Sequence, residues 1–172
     1  MRKFVMGFLT GMIVLALVGF SYMRFGFLDM RADIPVNPFE RTIAMPSLDA
    51  SVNRHAPARP NLVDPSDANL IAGMKIYQAK CANCHGDVNH PQGILADNLY
   101  PRAPQFAGDA PDMPEWQNYF IIQHGIRLTG MPAWGNLLSD QQLWQVTTFL
   151  SHMDKLPPPV SDQWKAAAAG PM

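Results

Sequence analysis

A basic excess is missing from this chain: 13 Lys or Arg stand against 14 Asp or Glu, a formal net charge of -1 over 172 residues. Such a balance cannot neutralise a phosphate backbone, which argues against a nucleic-acid binder. Cysteine is nearly absent as well. The pair Cys81 and Cys84 is too small for a disulfide framework, and its two-residue spacing points to cofactor, metal or redox chemistry. No internal repeat and no strand-like alternation occur, and the length is about that of one domain, which argues against a multidomain enzyme. Charge is scarce at 16% while 48% of residues are hydrophobic, yet the mean hydropathy is -0.07. The apolar residues must therefore be gathered in one place.

That place is the N-terminus, where Phe4 to Phe20 runs without a charge behind Arg2 and Lys3. These 17 residues span about 26 Å as a helix, and continuing through Met23 reaches the roughly 30 Å of a hydrocarbon core. No small-x-small pattern closes the run, since Phe20 stands where a cleavage site wants a small residue; residues 1–28 read as an uncleaved anchor rather than a removed signal. Arg2 and Lys3 place the N-terminus in the cytoplasm, opposed in part by Arg24 and Arg31, and everything after residue 30 outside it. Residues 29–66 hold Pro35, Pro38, Pro46, Pro57, Pro60 and Pro65 with no sustained apolar period. They read as an extended extracytoplasmic linker with a root-mean-square reach of about 35 Å, unless a piece such as Phe39 to Ile43 docks on a partner. Residues 157–172 open on three prolines, run into alanines and read as a mobile tail.

Residues 67–156 alone have the texture of a folded domain, and at about 90 residues burial by itself gives marginal stability, so a cofactor in the core would help. The first helix is expected over Asp67 to Lys80, with Leu70, Ile71, Met74 and Tyr77 on one face. Asp112 and Glu115 suggest a capping-box variant opening a second helix that stops at Gly125 after His124. A third begins at the capping box Ser139 and Gln142, carries Leu143, Val146, Thr147 and Leu150 at helical spacing, and ends near Met153. The expected domain is all-α with long, proline-rich loops.

Cys81-Ala82-Asn83-Cys84-His85 carries the chemistry, because C-x-x-C-H is the pattern of c-type haem attachment. Two thiols three residues apart at a helix end reach the two vinyl groups of a porphyrin, and the next residue sets an imidazole under the iron. Zinc would need about four ligands, and no second pair follows; a thioredoxin-like dithiol would sit beside a βαβ pattern. Haem is also attached outside the cytosol, where the predicted topology puts the motif. A methionine is one choice of sixth ligand, and eleven compete. Most belong to the anchor, linker, tail or core-facing helix positions. Met131, in Thr129-Gly130-Met131-Pro132-Ala133-Trp134-Gly135, stands in a stiff loop 46 residues after His85, with Met113 as a weaker rival. His124 and His90 read as surface histidines, while Arg102, Trp134 and Trp116 are candidates for contact with the haem.

In the order and spacing of these motifs, residues 67–156 resemble a class I c-type cytochrome, similar to the single-haem domains of cbb-type oxidase subunit III. The matching residues are Gly73 and Tyr77, CANCH with Gly86, Pro101-Arg102-Ala103-Pro104, HGIRLTGMPAWG from His124 to Gly135, and LSDQQLWQVTTFL from Leu138 to Leu150. The resemblance implies the all-α class I cytochrome c fold around one covalent haem c, here preceded by one transmembrane helix. It implies thioether links at Cys81 and Cys84, proximal His85, distal Met131, and the first and last helices of the domain crossing closely at Gly73. The expected protein is a membrane-tethered, single-haem electron carrier on the periplasmic side of the cytoplasmic membrane, without substrate bonds of its own to make or break. Its expected partners are membrane redox proteins of a respiratory chain, with no small-molecule substrate. Residues 67–156 hold five Lys or Arg and eight Asp or Glu, which favours a basic partner surface. A gas sensor or peroxidase, if Met131 is labile, and a fixed subunit of a respiratory complex are the alternatives.

Overall fold

A computed structural model describes residues 1–167. Its helices are α1 (Arg2–Arg24), α2 (Pro38–His55), α3 (Asp67–Lys80), α4 (Ala82–His85), α5 (Glu115–His124), α6 (Asp140–Ser151) and α7 (Pro158–Ala167), with one 3-10 turn at Ala96–Asn98. Among the described residues there is no strand. The chain divides into two compact units, Met1–Arg31 and the remainder from Ala32 onward.

The first unit is α1, 23 residues with a mean hydropathy of 2.2 over its most apolar window and no buried side chain. At 1.5 Å per residue it is about 34 Å long, enough to cross a hydrocarbon core. A signal sequence has the same length and composition, so the helix is compatible with either fate. Just past it, Phe27 folds back to stack on Tyr22 with ring centroids 5.8 Å apart.

In the second unit α3 crosses α6 at Gly73, as the resemblance implies. A Cβ at that position would lie 2.1 Å from the Gln145 carbonyl oxygen and 2.8 Å from the Phe149 Cβ, so any side chain must push the two helices apart. Around this crossing Leu70, Met74 and Tyr77 of α3 meet Leu143, Val146, Phe149 and Leu150 of α6 in one core. α5 joins through Tyr119, whose ring stacks on Trp144 at 4.3 Å. α6 starts where its cap predicts: Ser139 Oγ accepts from the Gln142 N–H at 3.3 Å, and Gln142 Oε1 accepts from the Ser139 N–H at 2.9 Å. Ser139→Ala should lower stability by about 1 kcal/mol, read as a drop in the denaturant midpoint at unchanged slope.

Three sequence expectations are corrected. Residues 29–66 are not an extended linker throughout, because α2 occupies Pro38–His55. Asn37 caps it, Pro38 takes the first position where no N–H is needed, and Glu40 and the Arg54-His55 pair suit its dipole. Proline content misled because Pro38 and Pro46 are both accommodated inside this helix, and Val52 alone within it is buried, which leaves almost no periodicity to read.

Nor is the C-terminal segment mobile from residue 157. The prolines open α7 instead of ending structure, and Val160 and Trp164 are buried, the latter 4% exposed. Trp164 sits edge-on to Tyr77 at 5.8 Å and to Phe149 at 5.3 Å. The last five residues of the expected tail lie outside the described residues. Finally, α5 begins at Glu115 behind Pro114, so Glu115 is its first residue and Asp112 does not cap it.

Candidate functional site

The C-x-x-C-H segment begins at the end of α3 and is wound into the single turn α4. The Cys81 N–H closes α3 on the Tyr77 carbonyl at 2.7 Å, and the Cys81 carbonyl then accepts from Cys84 and His85 at 3.0 and 2.9 Å. Both cysteines are half-buried, and no disulfide joins them. Burial, with a smaller contribution from Cys84, pushes the Cys81 thiol up to about 12.

His85 is fixed from two sides. Its Nδ1 lies 2.7 Å from the Pro104 carbonyl oxygen, and its ring stacks on Phe106 with centroids 4.7 Å apart and planes 13° from parallel. The Phe106 N–H also donates to the His85 carbonyl at 3.0 Å. Burial lowers the pKa of the imidazole, opposed in part by the Pro104 carbonyl, so the neutral ring is favoured. With Nδ1–H donating to a carbonyl, Nε2 carries the lone pair, the arrangement usual for a metal-ligating histidine. Gln105 ties the same loop down: its Nε2 donates to the Cys84 carbonyl at 3.0 Å and to the Ala103 carbonyl at 2.7 Å, while its Oε1 accepts from the Gly93 N–H at 2.7 Å. Tyr77 donates from its hydroxyl to the Gly86 carbonyl at 2.9 Å, joining the motif to the core.

Met131 is held by the loop that follows α5. Gly125 has φ +66 and leaves no room for a Cβ, which would stand 2.7 Å from the Met131 carbonyl oxygen. That oxygen accepts from the Ile126 N–H at 3.1 Å, the Thr129 hydroxyl donates to the Ile126 carbonyl at 2.8 Å, and the Met131 N–H donates to the Thr129 hydroxyl at 3.1 Å. Trp134 N–H closes the loop on the Ile122 carbonyl at 3.1 Å. Cys81, Phe106, Met131, Trp116 and Trp134 are all half-buried against the one hydrophobic core. The start of the C-x-x-C-H turn and the Met131 loop thus both border the hydrophobic core cluster.

The other candidates engage partners of their own. Met113 uses its carbonyl to accept from Asn118 at 3.2 Å. Exposed His124 packs its ring on Phe120 at 4.6 Å, and exposed His90 lies 3.5 Å from Asp87. Arg102 pairs through its Nε with Asp97, a local partner the sequence reading did not foresee. Phe106 and Gln105 were missed too; only the neighbouring Pro101 to Pro104 loop carried a signal.

Two thiols on one turn, a neutral and oriented imidazole, and a thioether on a rigid loop, all bordering apolar walls, form a donor set that fits a covalent iron porphyrin. Residues 68–150 match the family described as cytochrome C oxidase, cbb3-type, subunit III. They are a class I c-type cytochrome domain. The family carries covalent haem c. The thiosulfate dehydrogenase of Thiomonas intermedia (strain K12) is 26% identical over 113 residues, which cover 64% of this chain and 34% of that protein. The chain therefore matches only about a third of that relative's length. A chain of the Kuenenia stuttgartiensis reducing HAO-like protein complex aligns with a TM-score of 0.45 and 23% identity over 56% of this chain and 50% of that one. Haem-based electron transfer is what the cytochrome domain supports.

Proposed function

We propose that this protein is a membrane-anchored carrier of single electrons with one haem c, joined through Cys81 and Cys84 and ligated by His85 and Met131. In this reading α1 remains as the anchor and the cytochrome domain lies on the periplasmic side, exchanging electrons with membrane proteins of a respiratory chain. Haem c, when bound, supplies a one-electron change between ferric and ferrous iron. The chain's own residues do the rest. Cys81 and Cys84 secure the group covalently, and the Pro104 carbonyl fixes the tautomer of His85. The Met131 loop, braced on α5, holds its sulfur in place, and a methionine ligand raises the potential relative to a second histidine. With His85 and Met131 holding the iron, no position would be left open for a substrate, and the protein would break no bonds of its own. The observation that carries the reading is the locked His85 ring, tied at Nδ1 and stacked on Phe106.

The test is the distal ligand. Met131→Ala should lower the potential, remove the weak red charge-transfer band of the ferric protein and let carbon monoxide bind the ferrous form quickly, while Met113→Ala should do none of these. Rapid binding of carbon monoxide by the unaltered protein would turn the reading toward a gas sensor or peroxidase.

A further inference from the structure

The thirty residues ahead of α3 touch the cytochrome domain at point after point. The Asn37 N–H donates to the Tyr100 hydroxyl at 3.1 Å, and that hydroxyl donates to Glu40. Gln117 Nε2 donates to Asn53 Oδ1 at 2.6 Å, and Val52 and Ala56 are buried. Beyond α2 the Arg59 guanidinium lies 4.3 Å from the centre of the Tyr119 ring and 5.2 Å from that of Trp144. One of its nitrogens reaches Asp140 at 2.7 Å, and Tyr119 donates its hydroxyl to the same carboxylate oxygen at 2.6 Å. Asn61 Nδ2 donates to Thr148 Oγ1 at 2.7 Å and to Glu115 Oε2 at 3.0 Å. A surface ion pair alone would hold little, but a guanidinium stacked on two aromatic rings and an amide donating twice, between partly buried groups, hold a strap in one place.

We infer that residues 37–66 are a clamp on the cytochrome domain, so that only residues 25–36 join it to the anchor and its partner is a redox protein seated at the same membrane surface. The inference rests on the proposed reading for its anchor. Arithmetic of reach carries the rest. Twelve residues have a root-mean-square span of about 20 Å and a fully extended span of about 40 Å. A free 38-residue linker would have about 35 Å and, extended as polyproline, roughly 115 Å. A compact body of this size has a radius of gyration of about 14 Å, so the shorter joint is no longer than the body it holds. The domain can turn at the surface, but it cannot travel far from it to meet a distant soluble carrier.

The full-length, haem-loaded protein in nanodiscs containing a headgroup-labelled fluorescent lipid gives two readouts. Amide hydrogen exchange across residues 38–56 should be slowed about 100-fold or more relative to free peptide, and the double variant Arg59→Ala/Asn61→Ala should lose at least about tenfold of that protection. Haem should quench the headgroup dye strongly. A 26-residue Gly/Ser insertion after Asp33 should relieve the quenching several-fold, and the double variant should relieve part of it. An unchanged haem spectrum in the double variant shows that the domain itself remains folded; if that spectrum is lost, Asn61→Ala alone replaces it. Exchange of residues 38–56 at free-peptide rates in the unaltered protein would overturn the clamp, and quenching insensitive to the insertion would overturn the short joint. Should α1 prove to be removed in the mature protein, the anchor reading and the membrane half of the inference fail together, while amide protection still decides the clamp.

Discussion

His85→Ala is expected to abolish the low-spin spectrum of the holoprotein while pigment remains wholly or partly attached to the polypeptide. In the proposed site the thioethers of Cys81 and Cys84 and the iron bond of His85 would be separate connections, so losing one would not undo the other. The effect should be large because nothing nearby can substitute. The Phe106 ring stacked on His85 cannot ligate, and the Pro104 carbonyl loses the imidazole it held. Of the other histidines near in sequence, His90 is exposed and engaged with Asp87. Absorption spectra with a denaturing stain for covalent haem check both halves of the expectation. A normal low-spin spectrum in the variant would remove His85 from the proximal position, and with it the site proposed here.

The largest expected loss of stability without touching the haem ligands belongs to Trp164→Ala. Its ring is nearly wholly buried and forms a cluster with Tyr77 and Phe149, the residues at the centre of the α3 and α6 crossing. Truncating a buried tryptophan removes its transfer free energy and leaves a cavity, a cost of about 3 to 5 kcal/mol. For a folded body of this length that corresponds to a fall in Tm of roughly 10 to 20 °C. Thermal melts of the haem-loaded protein should show it with the visible spectrum unchanged at low temperature. A shift of only a degree or two would mean that α7 contributes little to the core.

The two residues differ in how far they could be read beforehand. His85 could be singled out because the C-x-x-C-H pattern occupies five consecutive residues, and the capping box at Ser139 and Gln142 was evident because it too is local. Trp164 was not, since its partners lie about 15 and 87 positions away in the chain and its own segment opens on three prolines. α2 and the segment that follows it were hidden in the same way: Asn53 finds Gln117, and Asn61 finds Thr148, across intervals of 64 and 87 residues that no local pattern records.

From the sequence alone came the apolar helix at the N-terminus, the all-α class, the extents of α3 and the start of α6, the attachment motif and the loop that carries Met131. Each of these depends on neighbours within a few positions: an unbroken apolar run, a helical period, a cap, a C-x-x-C-H spacing. Tertiary structure decided what surrounds them. It placed the Pro104 carbonyl and Phe106 against His85, bound Gln105 across three backbone groups, and drew residues once read as linker and tail into the folded unit. The physical reason is that burial and shape complementarity are properties of surfaces that meet only after the chain has closed long loops. A proline or an isolated aromatic has no assigned partner until the facing surface exists.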